Sequence, residues 1–160
     1  TITTHDISEE VAWNHDQVLA GFRASGFWEI EVAQNGTYEF ALRRYPAEAG
    51  DPILGTIPIP EKLRKFVYYS KGYDFAISHD RSKALPIASA SLKIGSFEEQ
   101  KALPKKAKAS PDYEVNAHGE VIAVKFKAQL KAGITKLEAS FFDESGTNLT
   151  APYYITVTRQ

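Results

Sequence analysis

The sequence predicts an all-β chain: an antiparallel β-sandwich, jelly-roll-like, with one or two short helical turns. Three observations carry this. Apolar and polar residues alternate with period two through several short stretches. Turn residues punctuate those stretches at regular spacing. No helical period is sustained. At 160 residues the chain has the length of one domain, taken here as 1–160.

Taken in order, Thr1 to Asp6 read like a strand already under way, and position 1 is not Met. The expectation is a piece cut from a longer protein at a domain boundary. Asn14 to Ala20, ended by Gly21, is a candidate helical turn. Phe27 to Ala33 places Trp28, Ile30 and Val32 on one face, and Thr37 to Arg43 does the same with Tyr38, Phe40 and Leu42. With Gln34-Asn35-Gly36 between them, these two stretches predict a β-hairpin. A two-residue loop would mix core and solvent faces. A three-residue loop sets Trp28 opposite Leu42 and Ile30 opposite Phe40, with Gly36 left-handed and Glu31 opposite Glu39.

Pro46 to Pro60 carries prolines and glycines and reads as loop, and Glu61 to Lys65 after Pro60 is the second helical candidate. Ile87 to Ile94 alternates, placing Ala88, Ala90, Leu92 and Ile94 together. Glu98 to Pro111, rich in lysine around Pro104, reads as loop. Val121 to Leu130 turns Ile122, Val124, Phe126, Ala128 and Leu130 inward, and Ala132-Gly133 breaks it. Thr135 to Phe141 resumes with Leu137, Ala139 and Phe141 inward. After the turn at Asp143 to Gly146, Tyr153 to Thr158 closes the chain with Tyr153, Ile155 and Val157 on one side.

Composition narrows function. Hydrophobic residues are 43%, charged residues 24% and aromatics 12%, ordinary globular usage with ample apolar area for a core. The net charge of −1 gives no field toward nucleic acid or an anionic membrane. No apolar run is long enough to span a bilayer, and no basic-then-apolar leader opens the chain. With no Cys, thiolate metal sites, disulfides and cysteine nucleophiles are excluded. His5, His15, His79 and His118 match no metal-ligand spacing, and neither Gly-x-Ser-x-Gly nor a phosphate loop occurs. No residue is therefore assigned a catalytic, cofactor-binding or metal-binding role.

Three features remain. The lysines at 101, 105, 106 and 108 read as a solvated loop, the alternative being a site for sulfated or phosphorylated polymers. The run Phe66, Tyr68, Tyr69, Tyr73 and Phe75 reads as a strand with Phe66 and Tyr68 on one face and Tyr69 on the other, one face being core, the alternative being a sugar-stacking platform. Trp13-Asn14-His15 and Arg43-Arg44 are candidates for an interface or ligand surface. Against that stand two plain alternatives: Trp13 caps the core, and the arginines pair with Glu29 or Glu48.

One resemblance is specific. Gly26-Phe27-Trp28-Glu29-Ile30-Glu31-Val32, then Gly36-Thr37-Tyr38-Glu39-Phe40 and Leu42-Arg43-Arg44-Tyr45-Pro46, resemble the C-terminal β-domain of bacterial sulfatases of the arylsulfatase type. Trp13-Asn14, Ala90 to Gly95, Val124-Lys125-Phe126, Leu130 to Gly133 and Tyr153 to Val157 extend the likeness over most of the chain. It implies a parent sulfuric ester hydrolase in which this chain is a non-catalytic accessory domain, packed in cis on a catalytic domain. There, a formylglycine made from a Cys/Ser-x-Pro/Ala-x-Arg signature would act beside a calcium ion. This chain has no such signature, so the nucleophile and the calcium ligands would lie in that other domain. The resemblance also implies a periplasmic or secreted location in a bacterium. The alternative function is a carbohydrate-binding module whose exposed aromatics hold a glycan, including a sulfated one.

Overall fold

The computed structural model describes residues 1–64 and 71–160, which form two packed antiparallel sheets. In chain order the strands are β1 (Ile2–Thr3), β2 (Trp28–Val32), β3 (Gly36–Arg43), β4 (Ser89–Ile94), β5 (Phe97–Ala102), β6 (Tyr113–Val115), β7 (Val121–Leu130), β8 (Gly133–Phe142), β9 (Asn148–Thr150) and β10 (Tyr154–Arg159). One sheet runs β1-β10-β3-β7-β6. The other runs β2-β8-β4-β5, with β9 also paired to β8. The short helices are α1 (His15–Leu19), α2 (Glu61–Arg64) and α3 (Lys71–Ser78).

The all-β sandwich is what alternation requires. Strands β2, β3, β4, β7 and β8 each turn one apolar row into the space between the sheets, where Trp28, Phe40, Leu42, Leu92, Phe126, Leu137 and Phe141 are all buried. The faces expected for 121–130, 135–141 and 153–158 are the faces found, with one local change. A bulge where β6 meets β7 sets Glu114 opposite Ala123 and Val115 opposite Val121. It brings Val121 into the main core cluster, of which Ile122 is not a member.

The expected hairpin is not formed. β2 and β3 lie in different sheets, β2 pairing β8 and β3 pairing β7 and β10. Residues 33–35 cross from sheet to sheet, and residues 131–132 cross beside them in the same way. The Ala132 amide donates to Asn35 Oδ1 at 2.7 Å, locking one crossing to the other. Gly36 is not left-handed; it opens β3 opposite Leu130. Trp28 and Phe40 still face one core, but from opposite walls. Charge explains the preference. The hairpin would set Glu31 against Glu39, whereas the crossing sets Glu29 opposite Lys136 and Glu39 opposite Lys127, with Lys127 Nζ 3.7 Å from Glu39 Oε2.

Two assignments also change. Residues 97–102 form β5 along β4, an outer strand whose charged alternation hid it. Lys101 belongs to that strand, held by Asp112 at 2.5 Å and lying 4.9 Å over the Phe126 ring, while Lys105, Lys106 and Lys108 are exposed. The aromatic stretch beyond residue 70 is helical, adding α3 to the helical turns expected at α1 and α2. α1 ends as expected at Gly21, which is left-handed with φ 63°.

Candidate functional site

The α1 entry is built by capping. Asn14 Oδ1 accepts from the Gln17 amide at 2.9 Å, and Gln17 Oε1 accepts from the Trp13 amide at 2.8 Å. Gln17, Val18 and Leu19 are buried, which anchors the turn to the body. Trp13 is thereby fixed at its backbone while its side chain stands out, 62% exposed. His15 beside it is exposed, and burial pushes the Asp16 carboxyl up against the opposing pull of His15. A hollow of about 150 Å³ adjoins Trp13, lined by Thr4, His5 and Tyr154 among others.

Arg43 and Arg44 do not share that surface. Arg43 is buried on the outer side of its sheet. Its Nη2 donates to Glu114 Oε2 and its Nη1 to the Ile122 carbonyl at 3.4 Å. Arg44 is fully buried at the end of the sandwich. It donates to the Lys83 carbonyl and, at 3.3 Å, to that of Gly55, and lies 4.9 Å over the Tyr45 ring. Their partners are neither Glu29 nor Glu48. Arg43 ends β3 and ties it to β6 and β7, whereas Arg44, the next residue beyond the strand, closes the sandwich end. Burial lowers the Arg44 pKa, with Tyr45 and Tyr153 opposing, and no carboxylate pairs with it among the described residues.

The predicted candidates thus separate. Trp13, Asn14 and His15 remain a surface; Arg43 and Arg44 become structure. Phe66, Tyr68, Tyr69 and the Tyr73 side chain lie outside the described residues. The four histidines are exposed, and among the described residues no group of His, Asp and Glu is placed to hold a metal ion.

Sequence reasoning missed a groove of about 810 Å³ between the end of α1 and the end of α3. Phe75 and His79 stack there with ring centroids 4.0 Å apart and planes at 5°. Their i, i+4 spacing was the available signal, obscured by reading the stretch as a strand. Arg23, Arg81 and Lys83 share the lining with Asp80.

Comparison of the chain with protein-family models, with curated proteins and with solved structures finds no match.

Proposed function

We propose that this chain is a non-catalytic accessory domain that docks on a partner domain through Trp13 and the α1 entry. The observation that supports it is the capped, backbone-pinned and exposed Trp13. An exposed tryptophan on a pinned backbone offers large contact area with only two side-chain torsions to order, which is the character of an interface anchor. Asn14 and His15 supply a polar rim, and Thr4, His5 and Tyr154 line a hollow beside the anchor. By the resemblance at 22–46, 90–95 and 121–158, the partner is a sulfatase catalytic domain. That domain would supply the nucleophile, the calcium ion and the ester hydrolysis, and its setting would be periplasmic or secreted.

The test is hydroxyl-radical footprinting of Trp13, on this chain and on the complete polypeptide that its gene encodes. Trp13 should label strongly in the chain alone and be protected in the complete protein. Equal labelling overturns docking through Trp13. A gene product lacking the Cys/Ser-x-Pro/Ala-x-Arg signature overturns the sulfatase partner.

A further inference from the structure

We propose that the groove between α1 and α3 is a binding site for an acidic sugar, a saccharide ring carrying a sulfate or carboxylate group. The site is separate from Trp13 and does not depend on what Trp13 docks against.

The groove is built rather than incidental. Ala20, Gly21 and Ala84 are among its lining residues. Its wall, residues 80–83, is pinned along its backbone. The Ile59 amide donates to the Asp80 carbonyl at 2.8 Å, the Ser82 amide to that of Ile57 at 2.9 Å, and the Lys83 amide to that of Leu19 at 2.8 Å. On the other wall the Tyr153 hydroxyl donates to the Phe22 carbonyl at 2.7 Å. At about 810 Å³ the space falls within the ordinary range of small-ligand sites, roughly 300–1,000 Å³.

Its chemistry is of three kinds. Phe75 and His79 stack face to face, which backs the exposed His79 ring and leaves its outer face as a flat platform. Arg23, Arg81 and Lys83 give three cations in a chain whose net charge is −1. Two of them are held in place. Arg81 Nε donates to Thr56 Oγ1 at 2.9 Å and its Nη2 to the Thr56 carbonyl, and Arg23 Nε lies 3.4 Å from Glu10. Neither contact uses the whole guanidinium fork, so each keeps donors for an oxyanion. The third kind is Asp80, an acceptor set among the cations. A ligand that was only anionic would offer Asp80 no hydrogen-bond donor. A sugar brings hydroxyl donors for Asp80, an anionic substituent for the cations and an apolar ring face for the platform.

Titration of the ¹⁵N-labelled chain is the test, with four probes: a heparin-derived tetrasaccharide, a galacturonic acid oligomer, cellotetraose and inorganic sulfate. The acidic oligomers should shift the amides of residues 20–23 and 79–84, and binding should weaken about tenfold in Arg81→Gln and in Lys83→Gln. His79→Ala should weaken the oligomers but not inorganic sulfate. These side chains are exposed, so the variants keep the parent's circular dichroism. Preference between the two acidic oligomers identifies the anionic group. Equal binding of cellotetraose overturns the acidic requirement, and equal binding of inorganic sulfate overturns the sugar. Oligomer binding unchanged in His79→Ala reduces the site to surface charge and overturns the proposal.

Discussion

Replacing Arg44 by methionine should cost the fold little, and replacing it by alanine should cost it much. The guanidinium is fully buried and makes two hydrogen bonds to backbone carbonyls, the one to Gly55 long at 3.3 Å. Losing two charged hydrogen bonds and the contact with Tyr45 forfeits about 4 kcal/mol. Against this, a guanidinium without a carboxylate partner carries an unrecovered desolvation penalty of several kcal/mol, on the order of what is lost. The downward push on its pKa has the same origin. The Gly55 carbonyl keeps a donor in any case, since the Tyr45 hydroxyl reaches it at 3.2 Å. With the polar effects near cancellation, volume decides. Methionine fills most of the space, and the expected cost is within about 1 kcal/mol. Alanine leaves a cavity, and the expected cost is about 3 kcal/mol or more. Urea unfolding followed by far-ultraviolet circular dichroism, with the slopes compared, separates the two. If methionine proves as costly as alanine, the charge and not the volume closes the sandwich end, and the reasoning fails.

Other predictions address the docking anchor, the alkaline limit, strand pairing and catalysis. Trp13→Ala should change the stability of the isolated chain by no more than about 0.5 kcal/mol, because the side chain is mostly exposed. Asn14→Ala removes the cap and should cost about 1 kcal/mol in the same unfolding assay. Burial raises the Tyr153 hydroxyl from 10.0 to about 12. Its contribution is therefore complete below pH 10 and lost as the pH climbs toward 12, a fall of about 2–3 kcal/mol that Tyr153→Phe should remove from the stability–pH curve. Glu39→Lys should destabilise by about 0.5–1 kcal/mol by facing Lys127, and adding Lys127→Glu should recover the loss. A gain from the single change would instead mean that Glu39 faces Glu31. The purified chain should not hydrolyse a chromogenic aryl sulfate with or without calcium, and turnover that persists through repurification contradicts the accessory-domain reading.

What could be read from sequence follows from what alternation encodes. A period of two reports which side chains face inward, and for Trp28, Phe40, Phe126 and Phe141 that reading matches the structure. It does not report which strand lies alongside. Residues 33–35 can turn a chain back within one sheet or carry it across to the other, and both leave the same residues buried. Helix entry at Asn14 was legible because the cap is local, one side chain meeting an amide three residues on. α3 was not, because residues 71–78 form only about two turns and their aromatic content favours a strand on propensity alone. β5 was hidden by the opposite effect: an outer strand with Glu98, Glu99 and Gln100 exposed shows no apolar row.

The discriminating signal for pairing was in the charges on the wet faces. A hairpin from β2 to β3 aligns Glu31 with Glu39, and the penalty looks tolerable because solvent screens it. The relevant comparison is with the alternative partners of those strands. β7 and β8 carry Lys127 and Lys136 on their outward faces, and only the crossed arrangement brings both against glutamates. Lys93 and Glu138, 3.6 Å apart between β4 and β8, extend the pattern to a third strand pair. Each such pair is worth roughly 0.2–1 kcal/mol, at most about what one buried methylene contributes. When two topologies bury the same core, the large apolar contribution cancels from the difference. The small cross-strand charges then decide which strand pairs with which.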